Sequence, residues 1–171
     1  MRRKFLSWAF WGIFALMISP WFMARSQESH SEPNTEESAI RSLMSDWVTS
    51  YNNLDAKRLA ALEVPNVEIV DRFGESHETT GRAENQRLWS DAFDAVSRST
   101  EPPKTIIDRI RFLGLDVAVV QMSWQFASGI LLTDGSRIPP YSQIDIFVLT
   151  KSQSEWRVAA HYILERKASL F

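Results

Sequence analysis

The chain has 171 residues, a formal net charge of −2 and no cysteine. It can therefore hold no disulfide, thiol nucleophile, iron–sulfur cluster or cysteine-ligated zinc, and its stability must come from its core. No basic stripe offers the phosphate contacts that supply most nucleic-acid affinity, so nucleic acid is not an expected partner.

The first 26 residues read as an export signal. Arg2, Arg3 and Lys4 precede an apolar run from Phe5 to Ile18, Pro20 breaks that run, and Ala24-Arg25-Ser26 supplies small residues around a cleavage point after Ser26. The alternative is an uncleaved membrane anchor over residues 5–24, a stretch of bilayer-spanning length. Either way the basic start stays inside and the rest of the chain lies outside the cytoplasm. Four of the 19 basic residues and none of the 21 acids fall in this segment, which leaves 15 basic residues and a charge of −6. The remaining 145 or so residues suffice for one domain with a real core.

Residues 27–34 (QESHSEPN) are polar and lack apolar periodicity, as in a flexible spacer. The domain proper is expected over residues 35–171. A first helix should begin near Asn34 or Thr35, with Asn34 and Glu37 spaced as a capping box. Ile40, Leu43, Met44, Trp47, Val48 and Tyr51 recur at helical spacing and form one apolar stripe. Asp55 can cap a short second helix ending at Leu62. Pro65-Asn66 predicts a break, and residues 67–73 a strand with Val67, Ile69, Asp71 and Phe73 on one face. A turn at Gly74-Glu75 and a short polar hairpin arm follow. A third helix is expected over residues 82–98, with Leu88, Trp89, Ala92, Phe93 and Val96 as its buried face.

Four strands then follow, over residues 105–113, 117–127, 141–151 and 156–166, with hairpin signals at Leu113-Gly114, Asp134-Gly135 and Ser152 to Glu155. Hairpin-length connections make neighbours antiparallel. The order α-α-β-α-β-β-β-β predicts an α+β fold, a cone-shaped, strongly curved antiparallel sheet wrapped around helices, with a pocket between. Apolar residues fall on both faces of the late strands, among them Val119 and Val120, Ile144 and Phe147, Val158 and Ile163. The helices cover one face, and a second copy of the chain is the economical cover for the other.

Several segments in order carry a family resemblance: Trp47…Tyr51-Asn52…Asp55…Leu59-Ala60-Ala61-Leu62, Val70…Phe73-Gly74-Glu75…Gly81-Arg82, Trp89…Phe93, Ile110-Arg111-Phe112-Leu113-Gly114…Asp116-Val117-Ala118-Val119-Val120 and Trp156-Arg157-Val158-Ala159-Ala160. Over residues 36–166 the chain resembles the nuclear-transport-factor-2-like, or cystatin-like, superfamily, and within it the SnoaL-like branch. Such a fold hosts binders, enzymes and interaction modules alike. Four positions depart from that branch. Trp89 stands where similar sequences often carry histidine, Asn85 where they carry an aliphatic residue, and Ile163-Leu164 where they carry asparagine and threonine.

The candidate chemistry is sparse. His30 lies in the spacer and His77 in the polar arm, whereas His161 sits mid-strand, either lining the pocket or buried beside a hydrogen-bonding neighbour. Asp145 interrupts an apolar strand. It is either a proton carrier with a raised pKa or the partner of an arginine such as Arg157 or Arg109. Asp71 and Asp108 raise the same question less strongly. Trp47, Tyr51, Phe73, Trp89, Trp124 and Tyr141, with Phe93, should converge as aromatic walls for a small apolar or amphiphilic ligand, although aromatics at such spacing also serve as plain core. No metal or cofactor motif is visible, including any glycine-rich phosphate loop or paired histidines.

Three readings follow. The first is an exported homodimer binding a small molecule. The second is a cofactor-independent isomerase, cyclase or dehydratase with His161 or Asp145 as proton carrier. The third is an interaction module whose pocket is filled by side chains.

Overall fold

A computed structural model describes residues 33–71 and 73–165. The expected export signal (1–26), its anchor alternative (5–24) and His30 lie outside the described residues. Among the described residues no helix is long and apolar enough to cross a membrane.

Helix α1 (Pro33–Asn52) absorbs the last two residues of the expected spacer. It starts at a proline, whose fixed φ and missing N–H suit a first helical turn. Glu37 pairs with Arg41 one turn on, at 2.6 Å. The apolar stripe faces inward: Ile40, Leu43, Met44 and Trp47 are buried, with Tyr51 half-buried at the end. Asp55 accepts a hydrogen bond from the Arg58 N–H and so caps α2 (Ala56–Leu62).

Strand β1 (Glu63–Val70) starts four residues before the expected strand, directly after α2. Pro65 and Asn66 do not interrupt it. They are exposed and lie within an irregularity between Glu63 and Glu68, where the ladder needs no proline N–H. The short arm β2 (Ser76–Glu78) pairs antiparallel with β1. Phe73 belongs to the turn between them and is 76% exposed, so it does not share an inner face with Val67 and Ile69.

Helix α3 (Arg82–Asp94) ends four residues sooner than its periodicity suggests. The chain beyond it is captured by a small hairpin, β5 (Ile130–Leu131) and β6 (Arg137–Ile138). Ser97 N–H donates to Leu131 O, Thr133 N–H to Ala95 O, and Val96 bridges Leu132.

The long strands are β3 (Lys104–Phe112), β4 (Val117–Phe126), β7 (Tyr141–Ser152) and β8 (Glu155–Glu165). The main sheet has the order β2-β1-β8-β7-β4-β3 and is antiparallel except where β1 lies parallel to β8. Its inner face carries Ala118, Val120, Met122, Trp124 and Phe126 from β4, Phe147 and Leu149 from β7, and Trp156 and Val158 from β8, all buried against the helices. Glu36 ties α1 to the far end of the sheet, accepting from Lys151 Nζ at 2.6 Å and Trp156 Nε1 at 2.7 Å. On the outer face Val119, Ile144, Ile146 and Val148 are half-buried, while Ile106 and Leu164 are 64% and 52% exposed.

Register in β8 decides what enters the interior. Leu149 faces Val158, but Val148 faces Ala160, so Ala159 has no partner across the ladder. Such a bulge reverses the phase of alternation. Residues 156 and 158 point inward before it, and His161 and Ile163 after it.

Candidate active site

The interior is not filled. A cavity of about 180 Å³ remains between α1, α3 and the sheet, lined by Trp47, Tyr51, Trp89, Ala92, Phe93, Val96, Trp124, Gln143, Asp145, His161 and Ile163. Five of the seven expected aromatic wall residues, Trp47, Tyr51, Trp89, Phe93 and Trp124, meet there. Trp47 is the hub. Its ring stacks on Tyr51 with centroids 5.7 Å apart and meets Trp89, Trp124 and Phe147 edge-on at 5.7, 5.9 and 5.0 Å. These offset and perpendicular contacts suit the quadrupoles of the rings.

Two expected wall residues lie elsewhere. Phe73 is on the surface turn, because its strand ends before it. Tyr141 stacks on Phe126 at 4.5 Å at the start of β7, beside the core and outside the lining.

The polar end of the cavity is a chain of three side chains. Gln143 and Asp145 alternate on β7 and so share its inner face. Gln143 Nε2 donates to Asp145 Oδ1 at 2.8 Å, and His161 Nε2 lies 2.9 Å from Asp145 Oδ2. Asp145 is thus paired, but with a histidine rather than an arginine. Arg157 instead bonds Ala61 O and Glu155. His161 is held from both sides, stacked on Phe147 at 4.3 Å and met edge-on by Trp47 at 5.2 Å. A carboxylate oxygen accepts, so Nε2 is the ring nitrogen that His161 turns to Asp145, and Nδ1 is left for another partner. Among the described residues Nδ1 has no hydrogen-bond partner, and neither has the buried Trp124 Nε1.

One functional candidate escapes the sequence reading. Glu63 is fully buried at the start of β1, accepting from Trp47 Nε1 at 3.1 Å and Trp89 Nε1 at 2.9 Å. It clamps two cavity walls from behind. Burial pushes its carboxyl above the ordinary 4.5, against the lowering influence of Trp89, Asn85, Trp47 and the His161 charge. Asn85 is also fully buried and lies beside Glu63 without hydrogen-bond geometry of its own. The one signal in the sequence was an acid between Leu62 and Val64, where a helix end reads as solvated.

The remaining titratable candidates sit at the surface. His77 lies 3.6 Å from Asp71 at the β1–β2 turn. With Glu75 they form a group whose possible ligand atoms lie within 4.8 Å of one another. Asp71 Oδ1 already accepts from the Phe73 and Glu75 N–H groups and holds the turn. Asp108 accepts from Ser123 on the neighbouring strand, away from the cavity.

No protein-family model matches the chain, and no curated protein matches it either. Solved structures do. A ketosteroid isomerase-like protein from Erwinia carotovora atroseptica is 16% identical, with a TM-score of 0.68 over 79% of this chain and 99% of that one. A domain of unknown function with a cystatin-like fold from Nostoc punctiforme is 20% identical, with a TM-score of 0.64 over 81% of this chain and 82% of the other. A nuclear-transport-factor-2-like protein of unknown function from Shewanella oneidensis is 13% identical, with a TM-score of 0.59 over 76% and 99%. At these identities the likeness is one of architecture: this chain has the cystatin-like α+β fold of nuclear-transport-factor-2-like and ketosteroid isomerase-like proteins.

Proposed function

We propose that the chain is an exported homodimeric domain that binds a small molecule in the cavity between α1, α3 and the sheet. The observation that carries this is the cavity itself: about 180 Å³, aromatic on most sides, with its few polar side chains gathered at one end. Apolar walls with a few placed polar groups are what small-molecule sites need. The apolar outer face of the sheet supports the dimer, and the basic and apolar start of the chain supports export.

Titration with an apolar probe, followed by tryptophan fluorescence, tests the site. Saturable quenching is expected, because Trp47, Trp89 and Trp124 all line the cavity. Ala92 lines it while remaining exposed, so it stands at the solvent edge. Ala92→Trp should close that edge and abolish binding with the fold intact. Unchanged binding in that variant would move the ligand elsewhere. For the address, mass spectrometry of protein from its native host should find Gln27 as the first residue. An intact Met1 in the cytosol would contradict export.

The buried Asp145–His161 pair favours a second reading, a cofactor-independent enzyme of isomerase, cyclase or dehydratase type. His161 Nδ1 would take a proton from a ligand carbon and return it at another, with Asp145 stabilising the protonated ring. Exchange of ligand protons for deuterium from solvent would report that step. His161→Phe should slow it by about 10²–10⁴-fold, whereas a binder's variant would change affinity alone.

A further inference from the structure

We propose that the cavity is selective for an uncharged single-ring ligand bearing a hydroxyl group and that it rejects organic anions. This rests on the reading of the cavity as a ligand site.

Size sets the first limit. A dry cavity of about 150 Å³ holds benzene, and this one measures about 180 Å³. One ring with one or two substituents fits. Fused rings do not fit unless a wall moves. Tyr51, Phe93 and Val96 also line the neighbouring hollow of about 50 Å³, so these side chains stand between the two spaces.

Charge sets the second limit. The lining contains no lysine or arginine, and its one carboxylate, Asp145, is already engaged by Gln143 and His161. Glu63 lies directly behind Trp47 and Trp89. A carboxylate or phosphate ligand would find no lysine or arginine there and would lie beside the acids Asp145 and Glu63.

Polarity sets the third. Two buried ring nitrogens on lining residues, Trp124 Nε1 and His161 Nδ1, have no protein partner among the described residues. Trp124 Nε1 only donates, and His161 Nδ1 is a ring nitrogen that donates or accepts according to its tautomer. A hydroxyl is an uncharged group that both donates and accepts. A hydrocarbon of the same shape would leave both atoms unpaired, a loss readable as about tenfold or more in affinity.

The experiment is a calorimetric titration of the full chain at neutral pH with phenol, toluene, benzoate and 1-naphthol, repeated on Ala92→Trp. Val96→Phe, another lining position, replaces that variant if it fails to fold. Phenol should bind at least about tenfold more tightly than toluene and benzoate. Naphthol should bind no better than phenol, and the blocked variant should lose phenol binding. Toluene equal to phenol, benzoate equal to phenol, or naphthol tighter than phenol would each overturn the selectivity and leave the ligand site standing. Failure of all four compounds to bind would remove the site itself.

Discussion

His161 and Asp145 are hydrogen-bonded at 2.9 Å although they do not face each other across the sheet. Directly opposite His161 is Phe147, and directly opposite Asp145 is Ile163. The pair is diagonal, and the bulge at Ala159 makes it possible by turning His161 inward. Both side chains are only 2% exposed, so neither partner has water in reserve. Removing one half of a buried pair leaves the other uncompensated. His161→Phe should therefore cost ~3–5 kcal/mol. Asp145→Asn keeps one acceptor and should cost ~1–3 kcal/mol. In a double-mutant cycle by urea denaturation the two should be coupled by ~0.5–3 kcal/mol. Simple additivity would mean that the hydrogen bond contributes nothing to stability.

Glu63 gives a pH signature. Its folded pKa lies above the ordinary 4.5, chiefly because it is buried. Between the unfolded and folded values the folded protein binds more protons than the unfolded chain. Stability in that window falls as pH rises, and levels off above the folded pKa. Glu63→Gln has no proton to lose and forfeits part of the indole clamp, a fixed cost of ~1 kcal/mol. The stability of wild type relative to Glu63→Gln should thus be greatest near pH 4 and decline as pH rises. Urea midpoints of both proteins across that range would show it, and a pH-independent gap would refute the raised pKa.

Two backbone positions make opposite predictions. Gln153 and Ser154 join β7 to β8 with φ of 50° and 68°, left-handed values that L residues adopt at a cost. Ser154→Gly should relieve that cost and, after glycine's own entropy, raise stability by ~0.5–1 kcal/mol. Gly129 has φ +67°, and a Cβ there would sit 2.0 Å from Ile138 O. Gly129→Ala should destabilise by ~2 kcal/mol or more, since strain and overlap add. Thermal melts of the two variants should move in opposite directions, and a neutral Gly129→Ala would place β6 farther from this loop.

The outer sheet face predicts assembly. Val119, Ile144, Ile146 and Val148 form a half-buried patch on the neighbouring strands β4 and β7, flanked by the more exposed Ile106 on β3 and Leu164 on β8. A dimer through this face should bury roughly 1,200–2,000 Å² in total. Light scattering at micromolar concentration should give twice the chain mass, and Ile146→Glu should give a folded monomer. A wild-type monomer under the same conditions would dismiss the interface.

Local chemistry alone was enough for most of the elements. The stripe of α1, the Asp55 cap and the four late strands are written in spacing and capping residues, which act over one or two turns. The convergence of Trp47, Tyr51, Trp89 and Trp124 followed from the order of those elements, because helices packed on a curved sheet bring their apolar faces together. Facts of register were not legible. The face that His161 presents depends on one unpaired alanine, and neither the alternation before nor after it reveals the change of phase. Phe73 failed as a wall residue because β1 ends at Val70 and the chain turns there into β2, a pairing that leaves Phe73 on the surface. Glu63 reads locally as a surface acid at a helix end. Only tertiary packing closes two indoles over it, and burial then makes an ordinary carboxyl the support of the cavity wall.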